Sequence, residues 1–168
     1  EKTNNLPTGD PYGTSLSRKW MEQFLGTLGY QLTRQKSTMV GNNNQTYSIS
    51  HADETLDKLP IHIVGFIEPD HPGKNTLDIR TSGGTTRLSP HATVQEYLNV
   101  TGHLYGIVAN GFTLRIIRDS GRLIRLNYIE IDLRRLLDED KYSEFNLIFR
   151  LLHATRLPKT SDGGESSF

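Results

Sequence analysis

Residues 89–133, SPHATVQEYLNVTGHLYGIVANGFTLRIIRDSGRLIRLNYIEIDL, constrain the fold more than any other stretch, because they dictate a helix and three strands in a fixed order. Ser89 is placed to cap a helix and Pro90 to open it, where proline needs no amide partner and already holds a helical φ. Val94, Tyr97 and Leu98 then recur on one face at helical spacing, while Gln95, Glu96 and Asn99 fall elsewhere, so the helix is expected to cover a sheet with one side. Residues 104–109 form an apolar run rich in strand formers, Asn110-Gly111 has the composition of a tight type I′ turn, and residues 112–117 return as a second strand. Asp119-Ser120-Gly121 makes the next turn. Residues 122–132, with Leu123, Leu126 and Ile129 among charged neighbours, read as a third strand bent at Asn127.

The rest of the chain is expected to pack around this unit. Leu16, Trp20, Met21, Phe24, Leu25 and Leu28 recur at helical spacing after a cap at Ser15 or Ser17, and Gly29 is placed to stop this core helix. Tyr30, Leu32 and Met39 belong to an extended segment, the glycine and asparagines at 41–44 interrupt it, and residues 46–49 return as the second arm of a long hairpin. Residues 60–68 (PIHIVGFIE) read as a buried strand. In the polar segment that follows, which can approach a ligand, residues 76–80 read as one more strand. A short helical turn at 133–137 precedes a helix over 141–154, whose Tyr142, Phe145, Ile148, Phe149 and Leu152 are expected to close the core. The division is a flexible arm at 1–13, one domain at 14–157 and a flexible tail at 158–168, and 168 residues suit one core. A start at Glu1 and a polar SDGGESSF end are those expected of a domain from a longer polypeptide.

Charge and cysteine content narrow the chemistry. Lys plus Arg and Asp plus Glu both number 19, so the formal net charge is zero and any surface for nucleic acid must be local. The absence of cysteine removes disulfide frameworks and zinc knuckles and fits a reducing, cytoplasmic setting. No apolar run is long enough to span a bilayer, so no membrane partner is expected.

The order of helix, antiparallel strands, crossing helix and further strands makes this an α+β chain, and it resembles the restriction-endonuclease-like fold, a mixed sheet flanked by helices. More specifically, SPHATVQEYLN, LYGIVANGFTLRIIRDS, YIEIDL and LLHATR, in that order between residues 89 and 156, resemble the N-terminal nuclease-like region of bacterial adenine-specific DNA methyltransferases of the type IIG, BREX and DISARM kind. That resemblance implies double-stranded DNA as a partner, a downstream methyltransferase domain in the same polypeptide, and other subunits of a restriction-modification or phage-defence system. S-adenosylmethionine is implied for the parent protein only. This chain has neither a glycine-rich strand-to-helix turn for that cofactor nor an Asn-Pro-Pro-Tyr-like tetrapeptide.

A nuclease of that fold needs an aspartate and an acidic-x-lysine pair at neighbouring strand ends, to hold Mg²⁺ and position the attacking water. Asp57, Glu68 and Asp78 are the candidates, but Glu68 is followed by Pro69-Asp70, and Asp78-Ile79-Arg80 offers arginine where lysine belongs. The domain is therefore expected to be non-catalytic, either DNA-contacting or structural. The alternatives are an Mg²⁺-dependent endonuclease using those carboxylates and a protein-interaction scaffold. For DNA contact the candidates are Arg87, His91 in the first turn of the helix after Ser89, Arg115 and Arg118. Plainer readings stand beside them: His91 as an ordinary capping-turn histidine, His62 as a core side chain, and the arginines at 115, 118, 122, 125, 134 and 135 as a solvated face neutralised by Asp119, Glu130, Asp132 and Asp138.

Overall fold

The computed structural model describes residues 9–36, 39–67, 70–80, 88–119 and 128–157. Helix α1, Thr14–Thr27, starts because the Asp10 carboxylate accepts from the Thr14 and Ser15 amides at 2.9 and 2.6 Å, and it stops at Gly29, whose φ of 87° suits glycine. Asp10 thus does the capping expected of Ser15 or Ser17. Ser17 lies on the buried face, where its hydroxyl donates to the Asn110 carbonyl at 2.8 Å. In the described part of the segment read as an arm, the Tyr12 carbonyl accepts from the Ile67 amide at 3.2 Å, and Gly13 lies against the Phe66 ring too closely for a Cβ.

Strand β1, Leu32–Arg34, follows α1, and β2 and β3, Met39–Val40 and Thr46–Tyr47, pair as a separate small hairpin. Next come β4, His51–Asp53, and β5, Leu59–Ile63. Helix α2, Pro90–Thr101, then crosses to β6, Tyr105–Ala109, which continues into β7, Thr113–Arg118, and β8, Tyr128–Asp132. The six-stranded sheet runs β1-β4-β5-β6-β7-β8, with β5 and β6 parallel and every other neighbouring pair antiparallel. Helices α3, Leu133–Asp138, and α4, Tyr142–Leu152, complete the described chain. The protein is a mixed α+β molecule whose sheet is flanked by helices.

Side-chain alternation divides the core between the two sheet faces. Met21, Leu25 and Leu28 of α1 pack with Ile61, Ile63, Ile107 and Leu114, whereas Val94 and Leu98 of α2 pack with Val108, Ile117 and Leu77. Ser89 caps α2 through the Ala92 amide, Pro90 opens it, and Gly102 at φ 76° ends it, all from local sequence chemistry.

Four local readings change. Residues 76–80 do not form a strand: Thr76–Asp78 is a 3-10 turn, because the Asn75 side chain accepts from the Leu77 amide at 3.1 Å and Thr76 Oγ1 donates to the Gly65 carbonyl at 2.7 Å. The β6–β7 turn is not type I′. Gly111 has a φ of 89° while Asn110 and Phe112 have none above zero, so the turn is centred on Gly111-Phe112, and Asn110 closes it with its side chain. Strand β4 was not expected, since His-Ala-Asp is a poor strand signal, yet all its residues are buried. Helix α4 packs Phe145, Ile148, Phe149 and Leu152 on the core, as its spacing predicts, but leaves Tyr142 in its first turn 76% exposed. The portion of the third strand expected at 122–127 lies outside the described residues.

Candidate nucleic-acid interface

Arg115 leaves β7 on the α2 face and is 5% exposed. Its Nη1 and Nη2 donate to the two Asp78 carboxylate oxygens at 2.6 and 2.8 Å, and its Nε donates to Glu130 Oε2 at 2.6 Å. The antiparallel register pairs Arg115 directly with Glu130, which explains that contact. The guanidinium also lies 4.9 Å over the Tyr128 ring, and its Nη1 is 3.4 Å from His91 Nδ1. Hydrogen bonding from Asp78 raises the Arg115 pKa further, and the bond from Arg115 holds the Asp78 carboxyl below its ordinary value. Burial, helped by the Arg115 charge, pushes the His91 imidazole down, and His91 Nε2 is buried without a hydrogen-bond partner among the described residues. The structure therefore brings Arg115, His91 and Asp78 together, but as an internal charge cluster closed by Glu130.

Arg118, three residues along β7, projects from the opposite sheet face and is exposed, because strand side chains alternate with a period of two. Arg115 and Arg118 do not form one stripe. Arg87 and Glu68 lie outside the described residues, as do Arg122 and Arg125. Arg134, Arg135 and Lys141 pair with Asp138, Glu139 and Glu144, the neutralised solvated face that was the plainer alternative for the two arginines.

Asp57 and Asp78 stand at opposite ends of β5. Asp57, at φ 54°, sits in the turn before the strand, with its carbonyl 2.9 Å from His103 Nε2. Asp78 belongs to the turn fastened to Gly65 just after it. Asp53 accepts from the Gln31 amide and from the Thr55 amide and hydroxyl at 2.7, 2.9 and 2.6 Å. Among the described residues no three His, Cys, Asp or Glu side chains gather as metal ligands.

The carboxyl ends of β5 and β6 are held by Asn110. Its Oδ1 accepts from the Phe112 and Thr113 amides at 3.0 and 2.8 Å, and its Nδ2 donates to Asn75 Oδ1 and Thr76 Oγ1 at 3.1 and 3.0 Å. This fixes the 3-10 turn beside an open cleft of about 550 Å³ lined by His71, Lys74, Asn75, Asp78, Ile79 and Arg80. Lys74 and Arg80 are exposed, and among the described residues neither has an ion-pair partner. The position follows a general rule for open sheets with parallel strands, in which ligands bind beyond the carboxyl ends. Sequence reasoning missed both cations, although HPGKNTLDIR already placed them in the polar segment expected to approach a ligand.

Comparison with known proteins gives no family model, no curated protein and no solved structure that matches this chain.

Proposed function

We propose that this chain is a non-catalytic, restriction-endonuclease-like domain that contacts double-stranded DNA, as the N-terminal part of an adenine-specific DNA methyltransferase of a restriction-modification or phage-defence system. Its setting would be cytoplasmic, and its neighbours the downstream methyltransferase domain and other subunits of the system. The reading is supported by the element order, in which a helix, the antiparallel strands β1, β4 and β5, the crossing helix α2 and the parallel strand β6 follow one another.

The observation that carries DNA contact is the pair of exposed cations, Lys74 and Arg80, without ion-pair partners among the described residues, around the open cleft at the carboxyl ends of β5 and β6. The non-catalytic part is supported by where the carboxylates are spent: Asp78 on Arg115, Asp53 on amides and a hydroxyl. Incubation with supercoiled plasmid and Mg²⁺ or Mn²⁺ is expected to leave the plasmid uncut while the protein retards it at low salt. Nicking that needs the metal and disappears in Asp57→Ala or Asp78→Ala would install the Mg²⁺-dependent endonuclease instead.

One observation favours a second reading, the protein-interaction scaffold. Helix α4 presents Tyr142, Leu147 and Leu151 at 76%, 58% and 44% exposure, more apolar surface than a solvated helix needs.

A further inference from the structure

The β6–β7 turn stands between two clefts at one end of the sheet. On one side, Asn110 and Thr113 touch Asn75, which lines the cleft bordered by Lys74 and Arg80. On the other, Gly111 and Phe112 form a wall of a second open cleft of about 490 Å³, completed by Trp20 of α1 and by Arg134, Leu137 and Asp138 of α3.

The walls of this second cleft are held in place. Trp20 Nε1 donates to the Gly111 carbonyl at 3.1 Å, and the indole packs on Phe24 with ring centroids 5.7 Å apart. The Phe112 carbonyl accepts from the Leu133 and Arg134 amides at 2.8 and 3.3 Å, which ties α3 to the turn. Phe66 meets the Phe112 ring edge-to-face at 4.8 Å, and the Arg134 guanidinium lies over that ring at 5.4 Å. The surface is nevertheless open: Phe112 and Leu137 are exposed and Trp20 is half-buried. Ordered apolar surface left in contact with water marks a place where something binds.

The chemistry of the lining decides what fits. Arg134 Nε lies 3.5 Å from Asp138 Oδ2, so guanidinium and carboxylate offset each other and the cleft offers a phosphate little net attraction, unlike Lys74 and Arg80. Both side chains are largely exposed and meet through one long contact, which leaves guanidinium donors and a carboxylate oxygen for a ligand. An aliphatic side chain entering here would desolvate those polar groups without bonding to them. A neutral, planar group with apolar faces and a rim of donors and acceptors satisfies both parts of the lining, and a nucleobase is such a group.

We propose that this cleft takes an unpaired base from a DNA strand whose phosphates lie on Lys74 and Arg80, the base stacking on Trp20 and on the Arg134–Phe112 pair while Asp138 accepts from its amine. The proposal rests on the DNA reading for the source of the base. It adds a preference that two cations alone do not give, for a duplex with a single-stranded end over a blunt one.

Trp20 is the only tryptophan of the chain, so its fluorescence reports on this cleft. The whole chain is titrated at low salt with a blunt duplex, the same duplex carrying a single-stranded adenine extension, the same extension made abasic, and adenosine alone. The adenine extension is expected to quench Trp20 saturably and to bind about tenfold tighter than the blunt duplex, the scale of one stacked base, with the abasic extension matching the blunt duplex. Phe112→Leu and Arg134→Gln are each expected to bring the adenine extension down to the affinity of the blunt duplex, and melting temperatures establish that both variants are folded. Absence of quenching with every ligand, an abasic extension that binds as tightly as the adenine one, or an adenine advantage that survives both substitutions overturns the site. If the blunt duplex binds through Lys74 and Arg80 and the adenine extension adds nothing, the DNA reading stands and this site falls. If adenosine quenches Trp20 in a manner that depends on Phe112 and Arg134 while no duplex binds, the base site stands and the DNA reading falls.

Discussion

Arg115 shows how one side chain changes meaning between sequence and structure. In Leu-Arg-Ile-Ile-Arg it reads as a surface cation, yet it is clamped by Asp78 and Glu130 under His91 and Tyr128. Strand alternation alone separates it from Arg118. Glu130 was among the carboxylates expected to neutralise this run of arginines, but its direct pairing with Arg115 follows from the β7–β8 register, which composition does not set. Arg115→Met leaves two carboxylates without their cation and is expected to cost about 2–4 kcal/mol in urea unfolding, less than a fully buried pair because Asp78 and Glu130 are partly solvated. His51, His62 and His91 all have pKa values lowered, chiefly by burial. The unfolded chain therefore binds more protons than the folded one below the ordinary histidine value, so their stabilising contribution is present above about 6.5 and is lost as pH falls. For His62 the loss extends down to about 4. Urea midpoints between pH 7 and pH 4.5 are expected to drop, and His62→Asn to flatten that dependence by up to about 3 kcal/mol.

At the level of elements, legibility follows how local the cause is. Helix α2 was readable because cap, proline and terminal glycine all lie within its own sequence. The β6–β7 hairpin was readable as a hairpin, but not its turn type, since Asn110 is held by Asn75 and Thr76 from far away in the chain. Asn110→Ala removes four hydrogen bonds at a buried position and is expected to destabilise by about 2–4 kcal/mol, with Gly111→Ala costing about 1 kcal/mol through its positive φ. The strand expected at 76–80 failed because the Asn75 side chain caps a 3-10 turn and the Thr76 hydroxyl fastens it to the Gly65 carbonyl, while apolar Leu77 is buried by packing on α2. Helix α4 follows its amphipathic spacing at Phe145, Ile148, Phe149 and Leu152, while Tyr142 in its first turn stays exposed. Tyr142→Ser and Leu147→Gln are each expected to change the unfolding free energy by less than about 0.5 kcal/mol. A larger loss would mean that this face is covered.

For the whole molecule, a net charge of zero leaves binding to the placement of a few cations. The mixed sheet puts the β5–β6 parallel pair at its centre, and Asn110 holds a polar turn at the carboxyl ends of those strands, so Lys74 and Arg80 border one cleft without carboxylate partners among the described residues. DNA contact was expected from the sequence through Arg87, His91, Arg115 and Arg118. In the proposed reading its weight shifts to Lys74 and Arg80, because Arg115 and His91 are spent inside. The most direct test is fluorescence anisotropy of a short labelled duplex across a salt series, comparing wild type with Lys74→Ala/Arg80→Ala. Sequence-indifferent binding is expected at low salt, with the logarithmic salt slope reduced by about two units in the double variant, roughly one per lost phosphate contact. Absence of wild-type binding at low salt, or an identical slope in the double variant, would contradict this account.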